Sequence, residues 1–443
     1  MNPLPIPHDI PLPLPADRGF LEAVLVVLFL AHILFVNFMV GGTLLAVAAE
    51  ALGLKNPAYD RLARQMAATI TVNKSLAVVL GVGPLLTINV LYTVWFYTAN
   101  GLTGGAWLAI VPLVTAAFLF SYLWKYTWDS LAHAKGLHLG LGLLPAALFL
   151  FVPLIFLANV NLMLFPQRWA EVHGFLSALL LPNALVRYLH FLLASLAVAG
   201  LFYVVWFTRA SYPLEERLPG LTRAGLRRGF YGVTFAATLG QLIAGPSLLF
   251  TLPNQGWSWA MLLLIGLGVT FAAIALLVLW GELTRAGDAV GGRYGTVVIL
   301  LTGTVLCMGY GRHLYRETAL GPHMRAVAEK TDAYRVALAA ATALEASGSA
   351  GAAKKPPGQQ IFETTCAACH ALDTALVGPS VIEIADIYAD DPAGIPKWVR
   401  APGRKRAGFS AMPAFPMPQA KLEAVASYLI EVGEAAQAPG EAP

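Results

Sequence analysis

Between Glu22 and Glu50 the chain runs for 27 residues without a charged side chain. Further charge-free stretches cover 75–124, 136–167, 188–208, 229–281 and 294–311. Lipid offers the backbone no hydrogen-bond partners, so a crossing segment must satisfy its own amides as a helix, which takes about 20 mostly apolar residues. Charged residues make up 12% of the 443, about half the share in soluble domains. This pattern excludes a single soluble globule, a disordered chain, a collagen-like fibre and a disulfide scaffold. It predicts a multispan membrane protein.

Two of the stretches are long enough for two spans each. Thr98–Gly105 splits the first and Thr251–Gly256 the second, both rich in turn residues. The expected spans are then eight, near 20–49, 72–97, 106–125, 140–164, 185–208, 229–251, 258–281 and 294–312, with Pro84 and Pro153 inside helices. Lys and Arg set the orientation. Loops 1–2, 3–4, 5–6 and 7–8 with their flanking helix ends hold thirteen bases, among them Lys55, Arg64, Lys135, Arg223 and Arg293. The opposite side holds three, Arg18, Arg168 and Arg187, before residue 312. The odd-numbered loops are therefore expected to be cytoplasmic and both termini outside, as in a protein of the bacterial inner membrane. The Pro-rich stretch Pro3–Pro15, within an arm covering 1–19, reads as a short translocated segment, with the first span retained.

Composition changes near residue 312, and from Arg312 onward lie 14 of the 25 acids and 13 of the 29 bases. Residues 313–345 read as a polar, Ala-rich helix. Ser347–Gly358 reads as a flexible linker, so that 313–357 joins the spans to a segment 358–433, with a tail at 434–443. A segment of that size needs help beyond its own hydrophobic core. Cys366-Ala-Ala-Cys369-His370 supplies it. Cys-x-x-Cys-His is the attachment signature of c-type haem: two thiols one helical turn apart add to the vinyl groups, and the adjacent imidazole meets the iron. A redox dithiol would want a βαβ context and a zinc site a second pair of ligands. Cys307, the other cysteine, falls in a span.

With Gly358-Gln-Gln-Ile-Phe362 before the motif, Gly378-Pro379 after it, then Met412-Pro413 and a helix over Lys421–Ile430, the segment resembles a class I cytochrome c domain. The resemblance implies thioether bonds at Cys366 and Cys369, His370 as proximal ligand and Met412 as the sulfur ligand, with Met417 as its rival. A Met/His pair raises the haem potential, which suits electron transfer. Such haem is attached outside the cytoplasm, in agreement with the side reached from the charge bias.

Ionisable residues within spans are functional candidates. His32 lies about twelve residues into the first span, roughly 18 Å deep at 1.5 Å per residue. His190 lies about one and a half turns into the fifth. The residues alone leave both open as haem ligands or as core histidines bonded to a neighbouring helix. His313 is expected to cap the eighth span, His173 to lie in an outer connection, and His133 and His138 to be solvated on the cytoplasmic side. Arg187 and Arg312, at the outer boundary, are candidates for haem propionates or for snorkelling side chains.

Three segments, Ala31–Gly42, Leu157-Ala-Asn-Val-Asn-Leu-Met163 followed by Arg187-Tyr-Leu-His190, and Gly309-Tyr-Gly-Arg-His313, resemble in order the large subunit of cytochrome bd quinol oxidases. The resemblance implies His32 as ligand to a haem of the oxygen-reducing pair and His190 as ligand to the low-spin b haem. The chain departs from that family at four places. Leu264 stands where the second low-spin ligand, a Met, is expected, with Met261 one turn away as a substitute. Asn89 stands in place of a proton-delivering Glu, and Gly309 or Met308 in place of a Glu ligand. Leu252–Gly256 replaces the long quinol loop.

The sequence therefore predicts an all-α fold: a polytopic bundle of about eight transmembrane helices over 20–312 with a C-terminal extramembrane cytochrome c domain. The favoured function is electron transfer between one or two membrane b haems and a covalent c haem in a respiratory chain. The alternatives are a divergent bd-type terminal or quinol oxidase, or a haem-free membrane anchor for the cytochrome. Expected partners are the bilayer, a second membrane subunit, a periplasmic cytochrome or oxidoreductase, and a quinone. Nucleic acid is not indicated, because the net charge of +4 comes mostly from cytoplasmic loops. Arg404-Lys-Arg406 reads as a solvated face able to steer an acidic partner.

Overall fold

The computed structural model describes residues 14–351, 355–403 and 411–437, with the side chains at 72–74, 288 and 344–351 outside the description. Residues 3–13 of the Pro-rich arm and Arg404-Lys-Arg406 lie outside the described residues. The chain divides into two compact units, one through Arg335 and one from Val336.

Among the described residues, eight helices are long and apolar enough to cross a membrane: Arg18–Gly53, Pro57–Leu91, Gly105–Tyr126, Lys135–Leu162, Ala184–Thr208, Arg223–Phe250, Trp259–Leu283 and the helix beginning at Tyr294. They are termed the first to eighth spans. The protein is thus a multi-pass membrane protein, and each expected span has its helix. Two differences have local causes. The turn expected over 98–105 shrinks to one residue: Thr93–Thr103 is helical, and Gly104, at φ 54°, ends that helix with its N–H on the Asn100 carbonyl. Only glycine reaches that conformation without strain. The eighth span does not stop near 312 but continues unbroken to Gly351, so Ser347–Gly351, expected as linker, is helical. Ala-rich sequence has the highest helix propensity, which accounts for the continuation.

Small residues set the helix crossings, as expected where lipid removes the hydrophobic drive between helices. A Cβ on Gly41 would run into the backbone carbonyl of Ser195, which holds the first span against the fifth. Gly200 meets Thr234 between the fifth and sixth spans, and Gly142 meets the Trp124 indole between the fourth and third. Gly268 meets Cys307 and Met308 between the seventh and eighth. One core cluster joins Phe38, Met66, Ile70, Tyr203, Phe207 and Phe230. Leu252–Gly256 is the short turn expected, with Asn254–Gly256 helical, and Tyr315 locks it by bonding the Pro253 carbonyl at 2.9 Å.

The second unit is a small helical domain. Helices Pro357–Ile361, Val381–Tyr388, Gly394–Arg400 and Gln419–Gln437 enclose Val381, Ile395, Val425, Ala426 and Leu429. Gly358 lets the first of these helices cross the last against Ala424, and Phe362 packs on Tyr428 with ring centroids 5.7 Å apart.

Candidate functional site

The Cys-x-x-Cys-His motif begins in one wide turn. Phe362–Cys366 forms a π-helical turn closed by Ala367 N–H on the Phe362 carbonyl, and the amides of Cys369 and His370 both bond the Cys366 carbonyl at 3.0 Å. Both cysteines are thereby carried on a single turn and line one pocket. Cys366 and Cys369 form no disulfide with each other. Burial, with Cys369 beside it, pushes the Cys366 thiol up from its ordinary range, so it is held as thiol rather than as the thiolate a redox dithiol requires.

The Gly378-Pro379 pair orients His370. The imidazole Nδ1 lies 2.7 Å from the Pro379 carbonyl. A carbonyl only accepts, so Nδ1 carries the proton and Nε2 is left with a lone pair. The ring packs against Gly378, where a Cβ would come within 3.0 Å of its Cε1, Nδ1 and Nε2 atoms. The Gly-Pro pair thus selects the tautomer a metal needs and clears space for the ring. Met412, Phe415 and Met417 line the same pocket as His370, with Phe415 pinned by its N–H to the Val399 carbonyl at 3.0 Å. The pocket brings together Cys366, Cys369, His370 and Met412, and holds Met417 as well.

In the membrane unit His32 repeats the arrangement. Its Nδ1 donates to the Ala77 carbonyl of the second span at 2.8 Å, and Gly81, one turn on, leaves room for the ring. His190 has a buried Nδ1 with no hydrogen-bond partner among the described residues. A buried imidazole nitrogen left this way costs free energy unless something binds the ring. One turn earlier Arg187 is oriented by Asn183, which sits at φ 77° ahead of the fifth span. The Asn183 amide bonds Leu248 and Thr251 while its oxygen accepts from Arg187 Nε at 2.8 Å. Arg312 stacks on Phe29 at 4.7 Å and has no carboxylate or hydrogen-bond partner among the described residues. The charges of Arg187 and Arg316 both act on it. Neither Arg187 nor Arg312 has an ion-pair partner among the described residues. Met261 is fully buried with Leu164, Phe165, Leu252 and Tyr315. Asn89 bonds its own helix at Leu85.

Two clusters escaped the sequence. His138 is not solvated: it is fully buried inside the fourth span, with Nδ1 on Glu50 Oε1 and Nε2 2.8 Å from the Trp124 carbonyl, while Trp124 Nε1 donates to Glu50 Oε2 at 2.8 Å. The three sit on three different helices, and no spacing within one segment announces them. His313 does not cap a helix. It lies within a network in which Arg18 bridges Glu22 and Glu317 at 2.6 and 2.8 Å, Tyr92 bonds Glu317, and Arg316 donates to His313 Nδ1 at 3.3 Å. His173 is exposed on the connection between the fourth and fifth spans.

Residues 356–432 match the family model for cytochrome c. The chain is similar in structure to a bd oxidase from Geobacillus thermodenitrificans, with a TM-score of 0.53 at 13% sequence identity, over 68% of this chain and 87% of that one. No curated protein matches the chain in sequence. The chain therefore joins an eight-helix membrane domain of the bd-oxidase fold to a cytochrome c domain that takes c-type haem, which makes it a membrane haem protein of electron transfer.

Proposed function

We propose that the chain passes single electrons between one or two b haems in the membrane bundle and the covalent haem of its C-terminal domain, as part of a respiratory chain. The observation that carries this reading is shared histidine geometry. His370 and His32 each donate Nδ1–H to a backbone carbonyl and keep Nε2 for a metal, in two separate units of one chain. Bound haem supplies a one-electron iron centre. Cys366 and Cys369 hold the c haem by thioether bonds, and His370 with Met412 ligates it, Met417 being the alternative sulfur. His190 and His32 ligate b haem, Met261 is the candidate for a further ligand, and Arg187 and Arg312 receive propionates.

The bias of thirteen bases to three supports placing both termini and the cytochrome domain on the outer, periplasmic side of a bacterial inner membrane. The partners proposed with this reading are a second membrane subunit, a periplasmic cytochrome or oxidoreductase, and a quinone. The test is chemical. Acid–acetone leaves covalent haem on the protein and extracts b haem, so a pyridine haemochrome spectrum of the extract reports b haem directly. His190→Ala and His32→Ala should each remove a distinct b-type band. An extract free of haem from assembled protein would leave only a membrane-anchored cytochrome c. The shared fold favours one second reading, a divergent bd-type oxidase; it predicts carbon monoxide binding by the reduced protein and oxygen uptake, and absence of both dismisses it.

A further inference from the structure

Away from the haem candidates, the connection between the fifth and sixth spans builds a pocket of its own, lined by residues of 210–216 and 221–227. The fifth span ends at Thr208 and the sixth begins at Arg223, so the pocket lies at the membrane boundary. Trp206, in the last turn of the fifth span, stacks with the Arg209 guanidinium at 4.2 Å, and Tyr212 packs on Phe207 with ring centroids 5.4 Å apart. Tryptophan, tyrosine and arginine gather at the headgroup layer of a bilayer, where one end of the side chain is apolar and the other wet.

Both signs of charge line this pocket. Arg223 and Arg227 stand on the first turns of the sixth span, and Glu215 and Glu216 on the one-turn helix Leu214–Arg217. Arg223 is fixed by neutral groups, donating to the carbonyls of Arg209 and Tyr212 at 2.8 and 2.9 Å. Arg227 donates to the Val290 carbonyl at 2.8 Å and to Thr208 Oγ1 at 3.2 Å. Among the described residues Glu215 and Glu216 pair with no base, and Arg223 pairs with no acid. Exposed charges gain little by closing on each other directly, so these stay open to a ligand that carries both signs.

Two further features mark where the ligand's negative end sits. Thr222 Oγ1 takes the Gly225 N–H at 3.1 Å and the Thr222 carbonyl takes that of Leu226, which leaves the amides of Arg223 and Ala224 open at the positive end of the sixth span. Tyr212 lines the same pocket and is 3% exposed, yet its hydroxyl has no hydrogen-bond partner among the described residues. A buried hydroxyl left open costs free energy that a ligand oxygen restores. Leu214 and Leu221 add an apolar wall.

We propose that this pocket holds the headgroup of a bilayer phosphatidylethanolamine, with the phosphodiester on Arg223, Arg227 and the start of the sixth span and the ammonium on Glu215 and Glu216. Two carbons join the two charges of that headgroup, and the leucines meet its glycerol end. A purely anionic headgroup leaves the glutamates unanswered, and a choline has no N–H to give them. The lipid ties the end of the fifth span to the start of the sixth.

The test is native mass spectrometry of the full-length haem-loaded protein, delipidated in detergent and titrated with phosphatidylethanolamine, phosphatidylglycerol or phosphatidylcholine of the same chains. The first ethanolamine lipid should be retained about fivefold or more over either of the others, the advantage of one ion pair with its hydrogen bonds. Glu215→Gln with Glu216→Gln alters two exposed side chains. It should bring the ethanolamine lipid down to the level of the choline lipid, while phosphatidylglycerol binding holds or rises. Tyr212→Phe should weaken all three by about fivefold, as the loss of one hydrogen bond does. Haem content and Tm of each variant check that the fold is intact. Equal retention of the three lipids overturns the proposal, as does a preference that survives the double glutamate variant or a Tyr212→Phe protein that binds like the wild type. Displacement of the lipid by soluble phosphoethanolamine at equal concentration also overturns it, by assigning the pocket to a dissolved ligand.

Discussion

Replacing His138 should be far more damaging than replacing Glu50, although the two touch. His138 Nε2 faces the Trp124 carbonyl at 2.8 Å, which only accepts, so that nitrogen carries a proton in every state of the pair. The Nδ1 contact with Glu50 then needs one further proton, shared between imidazole and carboxylate. Both side chains are fully buried, so the pair is neutral as a unit and neither partner reaches water. His138→Leu leaves Glu50 with only the Trp124 indole at 2.8 Å, an uncompensated acid in a closed site. Removing one partner of a buried pair costs about 3–5 kcal/mol. Glu50→Gln keeps an oxygen for Trp124 and offers an amide N–H to His138 Nδ1, so the loss is about that of one ordinary hydrogen bond, roughly 1 kcal/mol. Melting of the detergent-purified protein should separate these cases, with Tm falling by about 6–10 °C for His138→Leu and only about 2 °C for Glu50→Gln. The double variant should recover part of the first loss, because it removes the stranded carboxyl. Equal losses in the two single variants, or no recovery in the double, would refute the shared-proton assignment.

Three further outcomes are expected at single positions. Gly81→Ala puts a methyl 2.8 Å from His32 Cε1; displacing the ring costs about 1–3 kcal/mol, so the ratio of b to c haem in a haemochrome assay should drop while c haem stays, and an unchanged ratio would separate His32 from haem binding. Gly378→Ala crowds His370 in the same manner, and the cytochrome domain should mature with less covalent haem on haem-stained gels while b-type bands persist. In protein made without haem attachment, Cys366 should alkylate more slowly at neutral pH than an unstructured peptide thiol and catch up as pH rises, since burial raises its pKa and only the thiolate reacts; matching rates at neutral pH would show the thiol is not held in that state.

Much of the molecule is legible without coordinates because its constraints are local in sequence. A charge-free run of 27 residues has few options in lipid, and Cys366-Ala-Ala-Cys369-His370 carries its ligands within one turn. The same locality explains the differences. Turn residues over 98–105 suggest a long break, yet one glycine at positive φ suffices, and the rest of the segment stays helical. His138 resembles a loop histidine because it lies just after the bases of a connection. Its burial depends on Glu50 and Trp124, 88 and 14 residues away.

The sequence by itself determined that the chain crosses the membrane eight times and carries a haem attachment motif in an extramembrane segment, since both properties arise from unbroken runs of residue type. Only the tertiary structure decided which buried groups meet: the carbonyls of Ala77 and Pro379 that choose the tautomers of His32 and His370, the unpartnered Nδ1 of His190, and the acid held by His138. The physical reason is range. Burial and backbone periodicity are read along the chain, whereas a hydrogen bond depends on which helices the fold sets side by side.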